Sequence, residues 1–171
     1  SNEKILKIAM EQSAFDANCS AEDFLCEKNV IAISKPSENA RKYLKLPHAC
    51  NLISYGKNIV ATISEEYREI VENYINRFAV EHCFETPNMH VLNDAFEKHG
   101  FRVCFMAEYF LPDVTVLKEQ PCALETRILH NEDFTELYSQ GWGNAICEER
   151  KELDVLGVGA YDNGKLIGLA A

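Results

Sequence analysis

The stretch Val155-Leu156-Gly157-Val158-Gly159-Ala160-Tyr161-Asp162-Asn163-Gly164-Lys165-Leu166-Ile167-Gly168-Leu169-Ala170-Ala171 decides how the chain is read. Two apolar runs flank Asp162-Asn163-Gly164, residue types that tolerate the positive φ of a tight reversal, so a β-hairpin is predicted here. Gly157-x-Gly159 resembles the start of a dinucleotide-binding loop. However, the third glycine position holds Asp162, and a turn follows where a phosphate-cradling loop opens a helix. Close backbone approach or a sheet bulge accounts better for these glycines.

Working back from the hairpin, Leu124 to Leu129 reads as a strand. Asn131 is placed to cap a helix through Phe134, Leu137 and Tyr138, and Gly-Trp-Gly breaks it before a second helix from Asn144 to Arg150. LPDVTVLKEQP, bounded by Pro112 and Pro121, reads as a connector. Before it, Phe101 to Phe110 reads as a long strand. Thr86 as cap, Pro87 at the first helical position and Gly100 at the end delimit a helix with Val91, Leu92, Ala95 and Phe96 on its apolar stripe. A second stripe, Tyr67, Ile70, Val71, Tyr74, Ile75 and Phe78, follows Ser64 at helical spacing. Two β-branched runs around Tyr55-Gly56-Lys57-Asn58 predict another hairpin. Further upstream the sequence predicts a helix with Ile5, Ile8 and Ala9 on one face and a short helix capped by Ser20. A strand from Val30 to Ile33 and a helix from Ser37 through Ala40, Tyr43 and Leu44 to Pro47 follow.

The 171 residues carry 17 Lys and Arg against 27 Asp and Glu, a net charge of −10, and 47% of them are hydrophobic. Such a balance supports a real core and disfavours a general nucleic-acid binder, which needs a basic surface for counterion release. No apolar run reaches the roughly 18 residues of a membrane span, and no signal-peptide pattern opens the chain, so a cytoplasmic protein is expected. The seven cysteines form no C-x-x-C pair. His48-x-Cys50 and His82-Cys83 are the nearest approaches to a metal motif, and buried reduced thiols are the expected reading, with no metal.

LETRILHNEDFTELY (124–138) followed by the closing hairpin resembles the opening of a GNAT-type N-acetyltransferase domain. NMHVLNDAFEKHGFRV (88–103) is similar to a late segment of the same family through Phe96, Glu97, Lys98, Gly100 and Phe101, with Asn88 one residue out of register. The resemblance implies an α+β (α/β) architecture in two parts. Residues 1–111 would form a small α/β domain, a partial GNAT-like unit; 112–121 a connector; and 122–171 the start of an acetyltransferase domain. It implies transfer of an acetyl group from acetyl-CoA to an amine of a small molecule or protein. The family's Q/R-x-x-G-x-G/A loop, whose N–H groups hold the cofactor pyrophosphate, follows a fourth strand, and no match to it follows the hairpin here. The one literal match in spacing, Gln140 to Ala145, precedes the hairpin. The chain is therefore expected to stop before its cofactor half and to be inactive alone, with Ser1-Asn2 read as an expression remnant.

By position in the resemblance, Trp142, Asn144, Glu148 and Glu149 line the acceptor pocket, where acidic groups would suit a cationic amine. Trp142 is equally suited to packing on the sheet, Glu148 and Glu149 to a solvated face, and Asn144 to a cap. No general base is assigned. His82, Glu85 and His90 form a second polar cluster suited to proton transfer or metal, or to a hydrogen-bonded turn. Glu108 and Tyr109 would end a strand at a groove. An incomplete sheet suits pairing with a second copy. The competing expectation is a non-enzymatic ligand- or protein-binding module in residues 1–110.

Overall fold

The computed structural model describes residues 1–171, which divide into two compact units, Ser1–Leu117 and Lys118–Ala171. Both mix helical and strand structure, and no helix is long and apolar enough to cross a membrane.

The first unit is built on a three-stranded sheet of β1 (Val30–Ile33), β2 (Cys50–Ile53) and β3 (Val60–Ile63), in the order β1-β3-β2. β3 runs parallel to β1 and antiparallel to β2. Its position at the centre explains its wholly buried sequence, Val-Ala-Thr-Ile. Alternation then assigns the faces. Ala61 and Ile63, with Ile59 just before the strand, meet Tyr67, Val71, Tyr74 and Ile75, and also Leu92 and Phe96. These side chains come from the stretch entering and forming α2 (Arg68–Ile75) and from α3 (Thr86–Glu97). Val60 points to the opposite face, where Met10 and Ala14 of α1 (Asn2–Ala17) and the ring of Phe24 cover it. Helices thus clothe both faces of the sheet.

Asparagines fasten the ends of this sandwich. Asn58 is buried and donates to the carbonyls of Asp23 and Lys28, while Asn29 accepts from the Ile59 N–H and donates to the Ile75 carbonyl. Asn18 leaves α1 in the left-handed conformation, φ 54°, and its amide reaches the carbonyl of Ile33 at 3.0 Å.

Several expectations for this unit are corrected. Ile8 is exposed, and the buried face of α1 is Met10, Ser13, Ala14, Asp16 and Ala17. The cause is helical phase: at about 3.6 residues per turn Ile8 lies on the side of α1 opposite Met10, Ala14 and Ala17. Residues 37–47 form turns, not a helix. Only isolated bonds such as Ala40 N–H to Ser37 C=O form there, because the Arg41 N–H donates to Asp16 instead of continuing a ladder. Helix α3 is preceded by Glu85, and Thr86 is its first residue, with no side-chain cap.

Phe101 to Phe110 is not a strand. The Val103 N–H bonds to the Asn93 side chain rather than to a neighbouring backbone, and without a ladder the run stays an exposed strap. Phe105 is 74% and Phe110 83% exposed. The strap is held at points: Phe101 against Tyr67 and Phe96, Tyr109 over Arg41, and Val114 N–H on the Asn2 side chain.

The second unit is an antiparallel sheet of β4 (Glu125–His130), β5 (Leu156–Asp162) and β6 (Lys165–Ala170) in sequential order. Asn163 and Gly164, with φ 49° and 79°, make the two-residue turn the sequence predicts. The register shifts at Ala160/Tyr161, as a bulge requires. Phe134, Leu129 and Ile146 form the core on one face, joined by Leu137, Tyr138, Trp142 and Leu169. β5 turns its two glycines to this face because a side chain there has no room. A Cβ on Gly157 would lie 2.8 Å from the Ala170 carbonyl and 3.1 Å from the Phe134 ring, and one on Gly159 would lie 2.9 Å from Leu166. On the other face Ile128, Leu156 and Val158 are exposed.

The two helices expected between β4 and β5 are replaced by shorter pieces. Residues 131–134 and 148–153 are 3-10 helices, with turns between them. His130, not Asn131, precedes the first, and its N–H bonds to Asp133 Oδ2. Asn131 reaches instead across to the carbonyls of Lys151 and Asp154. Asn144 sits in a turn around the Trp142 carbonyl rather than at the head of a helix.

Candidate functional site

In the second unit, the segment between β4 and β5 is organised by Asp154. Its Oδ2 accepts from the Tyr138 hydroxyl and from the Cys147 N–H, each at 3.0 Å, while its carbonyl accepts from Asn131 at 3.0 Å. One residue thereby joins three points of a segment that has little regular backbone hydrogen bonding of its own. Burial, and then the Asp154 carboxylate beside it, raise the Tyr138 phenol above its ordinary range, with the charge of Glu148 adding to the effect. The charges of Asp154 and, more weakly, Glu148 thus act on the same phenol.

The four residues expected to line an acceptor pocket separate into two roles. Trp142 is half-buried and packs with the Phe134, Leu129 and Ile146 core. Asn144, Glu148 and Glu149 are exposed and make no side-chain hydrogen bond or ion pair, although Glu148 is felt electrostatically at Tyr138. Asp154 and Tyr138 were the residues missed in the sequence. An acid placed between Leu153 and Val155, at the entrance to an apolar strand, is the signal that marks Asp154.

In the first unit, His82 and Glu85 do meet: Nδ1 lies 2.9 Å from Oε1, and this hydrogen bond and charge raise the imidazole above its ordinary value. The Asn88 amide donates to the His82 carbonyl, completing a local turn at the head of α3. His90 is exposed further along that helix and makes no hydrogen bond to the pair. Glu108 is exposed, and Tyr109 stacks over the Arg41 guanidinium at 5.8 Å. All seven cysteines are free, and burial pushes the Cys50 thiol up to about 12 and Cys19 to about 11, which keeps both protonated. No three His, Cys, Asp or Glu side chains converge as a metal shell.

Against known proteins, the chain matches no family model, no curated protein and no solved structure.

Proposed function

We propose that residues 122–171 are the opening part of a GNAT-like N-acetyltransferase fold and that the activity they serve is acetyl transfer from acetyl-CoA to an amine. In that reaction the neutral amine nitrogen attacks the thioester carbonyl. The new N–C bond forms as the C–S bond breaks, the CoA thiolate leaves, and the amine surrenders its proton to a base. The observation that carries the reading is the sheet itself. Strand β4, a turn-rich cover and a tight hairpin follow one another in the family's order, and β6 is hydrogen-bonded along one side only. A free flank on β6 is where the reading requires further strands, or a second copy of the chain, to add. Trp142 supports the cover through packing, so in this reading it shapes the acceptor side indirectly.

The one literal match to the cofactor-loop spacing, Gln140-Gly141-Trp142-Gly143-Asn144-Ala145, lies before the hairpin in a run of turns that opens no α-helix, so the reading assigns no thioester contact to it. Calorimetric titration of acetyl-CoA into this chain and into the full reading frame that encodes it tests the proposal. Heat is expected from the full product alone, and silence from both overturns it.

A second reading, a non-enzymatic binding module, is favoured by one observation: the first unit closes its own core on both faces of its sheet without help from residues 118–171. A full reading frame lacking any cofactor loop would select this reading.

A further inference from the structure

The loop from Ser34 to His48 stands apart chemically from the rest of the chain. Between residues 35 and 45 it carries Lys35, Arg41, Lys42 and Lys45 against the single carboxylate Glu38, in a protein of net charge −10. The three lysines are exposed, and none is ion-paired. In an acidic chain such a cluster is a local patch of opposite sign, which raises the concentration of anions beside it.

The loop is also built to hold shape. Its ends are tied by the His48 N–H, which donates to the Ser34 hydroxyl at 2.8 Å. Its middle is fastened to α1 by Gln12, which donates to the Asn39 carbonyl, and by the buried Asp16. Asp16 accepts from the Arg41 N–H at 2.8 Å through one oxygen and from Arg41 Nε at 2.5 Å through the other. The guanidinium lies over Tyr43 and Tyr109, with 5.4 and 5.8 Å to the ring centroids. Held on its Nε side and stacked on rings, it leaves its Nη groups without a protein acceptor, and its side chain is 33% exposed. Closed loops of this size, packed by their own side chains, are frequent binding elements. Pro36, Ser37, Glu38, Arg41, Lys42 and Leu46 border a cavity of about 300 Å³ within the loop.

We infer that this loop is a binding site for a small phosphate monoester, with the Arg41 fork and the Lys42 ammonium on the phosphate and Glu38 accepting from hydroxyls of the organic part. A planar guanidinium fixed in advance matches two phosphate oxygens, and a second cation beside it favours a dianion over a monocarboxylate. The cavity's volume sets a small-molecule scale. The site lies wholly within the first unit and is independent of the acetyl-transfer reading.

The test is an amide NMR titration of the whole chain with inorganic phosphate, glucose 6-phosphate and glucose. Saturable shifts confined to residues 34–48 are expected with both phosphates, tighter for glucose 6-phosphate, and none with glucose. Lys42→Ala, at an exposed unpaired position, is expected to weaken glucose 6-phosphate about tenfold while leaving the spectrum of the core unchanged. Arg41→Lys keeps a cation against Asp16, loses the fork, and should weaken it by a similar factor. Absence of saturable shifts, shifts spread over lysines throughout the surface, or an affinity unmoved by Lys42→Ala overturns the inference. So does a loop that answers only to an acidic peptide.

Discussion

Each unit is built on three strands, yet the sheets meet solvent differently. In the first, α1 lies on one face and α2 with α3 on the other, and the central strand is wholly buried. In the second, one face is covered by Phe134, Ile146 and Trp142, and the other presents Ile128, Leu156 and Val158 to solvent. The first sheet draws stability from two apolar clusters, the second from one. A unit of 118–171 with a single small core lies in the size range where burial barely offsets chain entropy. The contrast leaves the second sheet with both the smaller core and an apolar face open to solvent, whereas the exposed apolar residues of the first unit lie on the strap and not on its sheet.

The most direct way to break this comparison is Phe134→Ala. The ring is fully buried and rests on Gly157, so its loss should remove about 3–5 kcal/mol and unfold the second unit alone. Hydrogen exchange should show amides of β4 to β6 losing protection while those of β1 to β3 keep theirs. Collapse of both units together would show that they are not independently stabilised.

Gly157→Ala should cost about 1–3 kcal/mol, because the neighbour a Cβ meets is a backbone carbonyl at 2.8 Å that has little freedom to retreat. Gly168→Ala, where the nearest contact is an ordinary 3.5 Å to Ala160, should cost within about 0.5 kcal/mol. Denaturant unfolding of the pair separates a packing role for Gly157 from general intolerance of side chains in the sheet.

On the uncovered face, Val158→Thr should change stability by less than about 0.5 kcal/mol while reducing binding of a hydrophobic dye. A large destabilisation would mean that the face is covered in solution, as by a second copy. The smallest effect belongs to His82. Its folded pKa is raised, so the Glu85 contact contributes fully below about 6.5, the ordinary histidine value, and is lost as pH rises through the folded midpoint. NMR titration should find that midpoint lowered by Glu85→Gln, with global stability scarcely altered because the pair is exposed.

Elements marked by local chemistry were legible in the sequence. Asn163-Gly164 specifies its own turn, and the two β-branched runs around Tyr55-Gly56-Lys57-Asn58 become the antiparallel pair β2 and β3. What the sequence concealed depends on partners distant along the chain. Phe101 to Phe110 has every local mark of a strand but no edge to join. Residues 37–47 have helical spacing, yet Asp16, twenty-five positions before Arg41, claims the N–H a helix needs. Among the candidate site residues, Trp142 lay on the stretch that covers the sheet, as expected. Asp154 escaped notice because its importance comes from Tyr138, Cys147 and Asn131 converging on it, which no window around Leu153 and Val155 displays.

Asn18 combines two tasks that proteins often divide between residues. Its backbone reverses the chain after the first helix, and its amide moors that helix to the end of β1. Glycine at this position would make the reversal easier and cast off the mooring. The end of the helix nearest Asp16 would then be held to the sheet by the packing of Met10 and Ala14, loosening the footing from which Asp16 positions Arg41.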